Sequence, residues 1–200
     1  MSAYDPVIQP EPGGRSPAPG ALRLVQQFVN TNDREGERDA LADPARLATW
    51  FRHWTTWSGG VDPTPAEHVA ALVVREGLRD LGGHVPPGPD FARQVADLDV
   101  RLVISDGRLR LAGTGRLAAA LVPLLEAVLV ASADGSWQRL KVCQRDRCHW
   151  MYYDSSRNHS SRWCATEICG SREKAARAYR RRKGGVGSAQ VRLATGAELS

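Results

Sequence analysis

Four cysteines constrain this chain more than any other feature. Four residues separate Cys143 from Cys148, four separate Cys164 from Cys169, and fifteen lie between the pairs. Two short pairs joined by a longer arm let two knuckle turns close around one tetrahedral ion, whose Zn–S bonds of about 2.3 Å replace a core too small to fold alone. The spacing predicts one structural Zn²⁺ held by Cys143, Cys148, Cys164 and Cys169. Four thiolates fill the tetrahedron and leave no open position for the water that a catalytic zinc activates. The alternative, two disulfides, needs an oxidising compartment and an export route. Residues 1–20 are rich in Pro, Gly and Ser without the apolar run of a signal peptide. The longest apolar stretch, Leu117 to Ala131, is interrupted by Pro123 and Glu126. The expectation is a cytoplasmic protein with reduced thiols and no membrane span.

The charge distribution divides the 200 residues. From Arg139 to Lys183 thirteen Arg or Lys face four acids, a balance of +9, whereas residues 1–138 carry thirteen bases against seventeen acids, a balance of −4. A basic, metal-stapled end on an acidic body suggests a polyanion-binding module joined to a domain with another task. The predicted fold class is α+β: a mainly helical N-terminal domain with a small β-hairpin, then a treble-clef-like or ribbon-like zinc finger ending in a basic helix. The expected divisions are a disordered leader at 1–20, a helical domain at 21–136, the finger at 137–183 and a disordered tail at 184–200.

Within the helical part, Leu22, Val25, Phe28 and Val29 recur at helical spacing up to the polar run at Asn30. Asp43 and Pro44 suit an N-cap and first helical position, followed by Leu47, Trp50, Phe51 and Trp54 on one face. Burial on that face explains the tryptophans better than a ligand cage. Thr64, Pro65 and Glu67 form a capping box, and Gly82-Gly83 closes a helix over about 65–81. On it Arg75 and Arg79 point the same way, to clamp an anionic ligand or to pair with acids. Asp99 to Ala112 alternates around Ser105-Asp106-Gly107, which predicts a β-hairpin with Val100, Leu102 and Ile104 on one arm and Leu109 and Leu111 on the other. A last apolar helix, Gly115 to Ala131, is expected to kink or split at Pro123. No Ser-His-acid order or glycine-rich phosphate loop stands out, so an enzyme is not expected.

In the basic segment, Leu140 to Val142 and His149 to Tyr153 predict a short hairpin carrying the first knuckle. The loop from Asp154 to Arg162 offers hydroxyls, an amide and two guanidiniums, the groups that contact phosphates and base edges. A helix follows from Ser171, its expected N-cap, to about Lys183. Ala175, Ala176, Ala178 and Tyr179 form one arc, expected to pack on the zinc core, and Lys174, Arg177, Arg180 and Arg181 form the opposite one. The candidate nucleic-acid contacts are Arg157, Asn158, Arg162, Arg172, Lys174, Arg177, Arg180 and Arg181.

The run Cys143-Gln-Arg-Asp-Arg-Cys148, with Tyr152-Tyr153-Asp154-Ser-Ser-Arg-Asn158, Arg162-Trp163-Cys164 and Cys169-Gly170-Ser171-Arg172, resembles the CGNR zinc finger. Serine 171 stands where that family's name has asparagine; both residues cap helices. The preceding part is similar to the ABATE domain, through Phe28-Val29-Asn30-Thr31, the stretch Leu47 to Trp50, and Arg75-Glu76-Gly77-Leu78-Arg79. Together these resemblances imply a bacterial stress-induced transcription regulator with a ligand-sensing N-terminal domain, for which Asn30, Arg75 and Arg79 are the candidate ligand-binding residues.

The resulting expectation is a zinc-dependent, DNA-binding transcription regulator, cytoplasmic and nucleoid-associated, whose helical domain senses a small-molecule effector or forms a homodimer. Two other classes remain open. One is an RNA-binding or protein-docking module that stacks bases on Trp150, Tyr152, Tyr153 or Trp163. The other is an enzyme in the N-terminal domain, targeted by the finger.

Overall fold

The computed structural model describes the backbone of residues 7–58 and 60–194, with side chains up to Lys183. Six helices and three two-stranded antiparallel hairpins follow one another among the described residues. The body consists of α1 (Leu22–Asn30), a hairpin of β1 (Asn32–Asp33) and β2 (Arg38–Asp39), α2 (Pro44–Trp54), α3 (Pro65–Gly82), α4 (Pro89–Asp97), a hairpin of β3 (Val100–Ser105) and β4 (Arg108–Gly113), and α5 (Arg116–Asp134). The finger adds β5 (Leu140–Val142), β6 (Met151–Tyr153), a π turn at Thr166–Gly170 and α6 (Ser171–Ala194).

The local signals act as their chemistry requires. Asp43 caps α2 by accepting from the Arg46 N–H at 2.9 Å. At the start of α3, Thr64 and Glu67 each accept the other's backbone N–H, at 3.2 and 2.7 Å. Phe28, Leu47, Trp50 and Phe51 are buried together, with the Phe28 and Trp50 rings 4.9 Å apart. Gly77 opens α3 to its neighbour, since a Cβ there would stand 2.0 Å from the Phe91 ring of α4. Neither α4 nor the β1–β2 hairpin is signalled by the periodicity.

By length and composition α5 is the one described helix able to cross a membrane. In the fold it is a core element, burying Ala118, Ala120, Leu121, Leu124, Ala127 and Ala131. Where a kink or split is expected at Pro123, the helix runs on without a split. The proline has no N–H for the Ala119 carbonyl one turn earlier, and that carbonyl accepts from the Thr56 hydroxyl at 3.5 Å instead.

Residues 7–20 correct the expectation of a disordered leader; residues 1–6 lie outside the described residues. Gln9 and Ala18 are buried, held by the amides of α1: the Gln9 N–H donates to Gln27 at 2.6 Å and the Ala18 N–H to Gln26 at 2.8 Å. Backbone groups satisfied in this way fix a segment whose composition alone reads as disordered. The expected tail also changes. α6 runs past Lys183 through Gly184, Gly185 and Gly187 to Ala194, because an established helix adds a backbone bond with each residue. Residues 195–200 of that tail lie outside the described residues.

Candidate metal centre

The finger is built from its two hairpin strands outward. β5 and β6 pair Leu140 with Tyr153, Lys141 with Tyr152 and Val142 with Met151. The ladder continues into the first knuckle, where the Cys143 N–H donates to the Trp150 carbonyl at 2.9 Å and the Cys148 N–H to the Arg145 carbonyl at 2.8 Å. His149 sits at φ +50°, which turns the chain back into β6. The second knuckle docks through the Gln144 N–H on the Arg162 carbonyl at 3.0 Å, and the π turn closes when the Gly170 N–H reaches the Ala165 carbonyl at 3.3 Å, which the Cys169 N–H also meets at 2.9 Å.

These turns bring four buried thiols together, with every Sγ within 4.8 Å of the others. Cys148 and Cys164 are 3.6 Å apart and Cys164 and Cys169 3.5 Å apart. Those separations exceed a disulfide bond and approach the roughly 3.8 Å between sulfurs that tetrahedral Zn–S bonds of about 2.3 Å require. Hydrogen bonds from the Cys148 and Cys164 thiols and from backbone N–H groups push the Cys143 thiol down. The bond to Cys143 pushes the other two up, with burial adding to it. Charge on the Cys143 thiol therefore opposes charge on Cys148 and Cys164 beside it. A dication is the charge that lets all four act as thiolates. The donor set fits one structural Zn²⁺, and neither His149 nor His159 belongs to it.

The finger sits on the body through buried polar groups. The Asn30 side chain accepts from the Met151 N–H and donates to the Met151 carbonyl, both at 2.8 Å. Arg79 donates to the His149 carbonyl at 2.6 Å, to the Val29 carbonyl at 2.7 Å, to the Asn32 carbonyl at 3.2 Å and to Glu76 at 3.0 Å. Arg75 makes two bonds of 2.7 Å with Asp39. These contacts correct the expectation that Asn30, Arg75 and Arg79 bind a ligand. They are buried and spent on protein partners: Asn30 and Arg79 seat the finger, and Arg75 ties α3 to β2. Burial opposes the charge on Glu76, yet Arg79, Asn32, Arg75 and Arg34 hold its carboxyl down at about 2. Gly82 admits the finger closely, since a Cβ there would meet the Met151 methyl at 2.5 Å. From the leader, Arg15 donates to the Cys164 and Trp163 carbonyls and lies 4.6 Å over the Tyr152 ring.

The loop after β6 is organised by the buried Asp154. Its carboxylate accepts from Lys141 at 2.8 Å, the Ser156 hydroxyl at 2.6 Å and the Ser161 N–H at 3.0 Å. Burial opposes its ionisation, and the bonds from Lys141 and Ser156 outweigh that and hold the carboxyl well below the usual range. Arg157, Asn158 and Arg162 are exposed around this anchor. On α6, Arg172, Lys174, Arg177, Arg180 and Arg181 are exposed as well. Arg177 and Arg180 share Glu173 at 3.0 and 2.9 Å, while Arg172 pairs with Glu35 of the β1–β2 turn, which also holds Arg145 at 2.7 Å. No described hydrogen bond joins the loop set to the helix set.

Two expectations for α6 change. Ser171 has helical angles, φ −66° and ψ −43°, so it is the first helical residue and no cap; the π turn feeds directly into the helix. The small arc does not pack on the zinc core either, since Ala175 is exposed and Tyr179 is 66% exposed. The helix contacts mainly the π turn and leaves the rest of the finger.

A cleft of about 590 Å³ opens where the body meets the finger, lined by Gly82, Gly83 and His84 on one side and by Lys141, His159 and Arg162, among others, on the other. Among the described residues no carboxylate lines it. The periodicity gives no sign of this cleft, because its walls come from segments far apart in the chain.

Buried thiols closed by two knuckles, with no open ligand position, define a small zinc finger of the structural kind. Residues 139–182 match the model of the CGNR zinc finger family. No curated protein matches the chain.

Proposed function

We propose that this protein is a zinc-dependent DNA-binding transcription regulator. The observation that carries the reading is the finger's charge: thirteen bases against four acids between Arg139 and Lys183, with all eight candidate contacts exposed on the loop and α6. A helix that stands clear of its body with cations along its length suits a nucleic-acid groove. Burial of Trp150 and Tyr152 removes two of the four aromatics on which single-stranded RNA would stack, and this favours a duplex. When bound, Zn²⁺ supplies the fold of the finger. Arg172, Lys174, Arg177, Arg180 and Arg181 neutralise phosphates, and Arg157, Asn158 and Arg162 fix register or read base edges. Cytoplasmic, nucleoid-associated placement follows from this reading.

The ABATE-like body is the sensing half of the proposal. With Arg75 and Arg79 spent internally, the acid-free cleft between body and finger is the better place for an anionic effector, because both halves line it.

Anisotropy titrations of zinc-loaded protein against random duplex DNA and single-stranded RNA, in a salt series and after chelation, test the reading. Duplex binding should fall steeply with salt and vanish with the metal. Arg181→Ala should lower the slope of log K against log salt by about 1 and weaken all sequences alike. Asn158→Ala should relax sequence preference. Binding to neither nucleic acid would overturn the proposal.

A further inference from the structure

The β3–β4 hairpin is strictly two-faced. Its register pairs Val100 with Gly113, Leu102 with Leu111 and Ile104 with Leu109. Successive residues alternate sides, so these six make one face without a charge or hydrogen-bonding side chain. The other face carries Arg101, Arg108 and Arg110 with Val103, Ser105 and Ala112. Among the described residues only the base of the apolar face is covered: Val100 packs on the core and Gly113 touches Ala118 of α5. Toward the tip, Leu102, Ile104 and Leu109 are 70%, 78% and 71% exposed. Asp106 and Gly107, both at positive φ, make the two-residue turn that fixes this register.

Strict alternation of this kind is the pattern of a strand pair with one face buried, and a two-stranded hairpin without cover is marginal in water. We propose that the cover is a second copy of this chain, with two hairpins packed apolar face to apolar face across a two-fold axis. The charge pattern selects that occupant. A face with no charged group offers nothing for a charged partner to recognise, and its best complement is a surface equally free of charge. A two-fold axis supplies one and turns both arginine faces outward, where their like charges are farthest apart. In this arrangement the tip side chains Ile104 and Leu109 of one copy cover Leu102 and Leu111 of the other. Strands of six residues span about 20 Å, so the contact is smaller than the roughly 800 Å² per partner of a standard interface, and the dimer is a weak, concentration-dependent one.

Sedimentation of the nuclease-treated, zinc-loaded full chain from about 1 to about 200 µM tests this, in salt high enough to strip nucleic acid. A monomer–dimer equilibrium that persists in high salt is expected, independent of any DNA binding. Leu102→Glu with Leu109→Glu, at exposed positions, should shift the midpoint upward at least tenfold with unchanged circular dichroism. Arg108→Glu on the opposite face should leave the midpoint in place. A wild-type monomer throughout, or equal effects from both faces, overturns the proposal. So does a monomer that partitions onto phosphatidylglycerol vesicles, which would assign the face to lipid.

Discussion

Asn30 holds Met151 as a neighbouring strand would: one side-chain amide takes both backbone groups of a single residue, donor and acceptor, at 2.8 Å each. The pair joins the end of α1 to the inner strand of the finger across a buried boundary. Removing the amide leaves the Met151 N–H without a partner and its carbonyl with only a long 3.4 Å bond from Gln26, at about 1–3 kcal/mol for a group left unsatisfied. Asn30→Ala should therefore lower stability by about 2–4 kcal/mol, read by urea denaturation. It should also expose the finger to limited proteolysis before the body.

Arg79 makes the same boundary depend on charge. Its guanidinium spans α1, the β1 segment and the first knuckle through three carbonyls and Glu76. Lysine cannot reproduce a planar fork that reaches three directions. Arg79→Lys should cost nearly as much as Arg79→Met, about 3–5 kcal/mol, because either leaves buried acceptors unpaired. Thermal unfolding of the two variants beside the wild type checks this, and full rescue by lysine would contradict it.

The elements whose signal is local were legible in the sequence. Asp43, the Thr64–Glu67 box and the Asp106-Gly107 turn each act within a few residues of themselves, and the cysteine spacing states its own closure. What escaped depends on distant partners. Arg75 and Arg79 share a helix face in a way that suits a ligand clamp equally well, and only the fold reveals Asp39 and the His149 carbonyl opposite them. The leader looked disordered because its anchors, Gln26 and Gln27, lie on another element. Periodicity puts Ala175, Ala176, Ala178 and Tyr179 on one arc, but alanines bury too little apolar surface to draw a helix inward, and Tyr179 stays 66% exposed.

Glu76 should give the fold an acid limb. Its carboxyl titrates at about 2 when folded, below its ordinary 4.5, so its contribution is complete above the unfolded value and is lost as pH falls from about 4.5 towards 2. Glu76→Gln should cost about 2 kcal/mol at neutral pH, allowing for solvent screening of a partly exposed group. The two stability curves should converge as pH drops through that window. Curves that stay parallel would mean that Glu76 acts by packing alone.

Metal removal should separate the two halves of the molecule. Without Zn²⁺ nothing balances charge on the buried thiols, since hydrogen bonds that favour the Cys143 thiolate push Cys148 and Cys164 the other way, and the knuckles should reopen. Titration of released metal should give about one Zn²⁺ per chain, the number four thiolates hold in one tetrahedron. The apo protein should lose the near-ultraviolet signal of Trp150 and Trp163 while the helical signal of the body remains. The Phe28–Trp50 pair lies within the body, but the same core includes Leu140 and Met151 of the finger, and Asn30 and Arg79 then lose their finger partners, so the body should unfold at a lower temperature. Cys164→Ser should reproduce this state with zinc present, because that sulfur lies 3.6 Å from Cys148 and 3.5 Å from Cys169, and a body unfolding at the wild-type temperature would show that the finger's seat adds no stability.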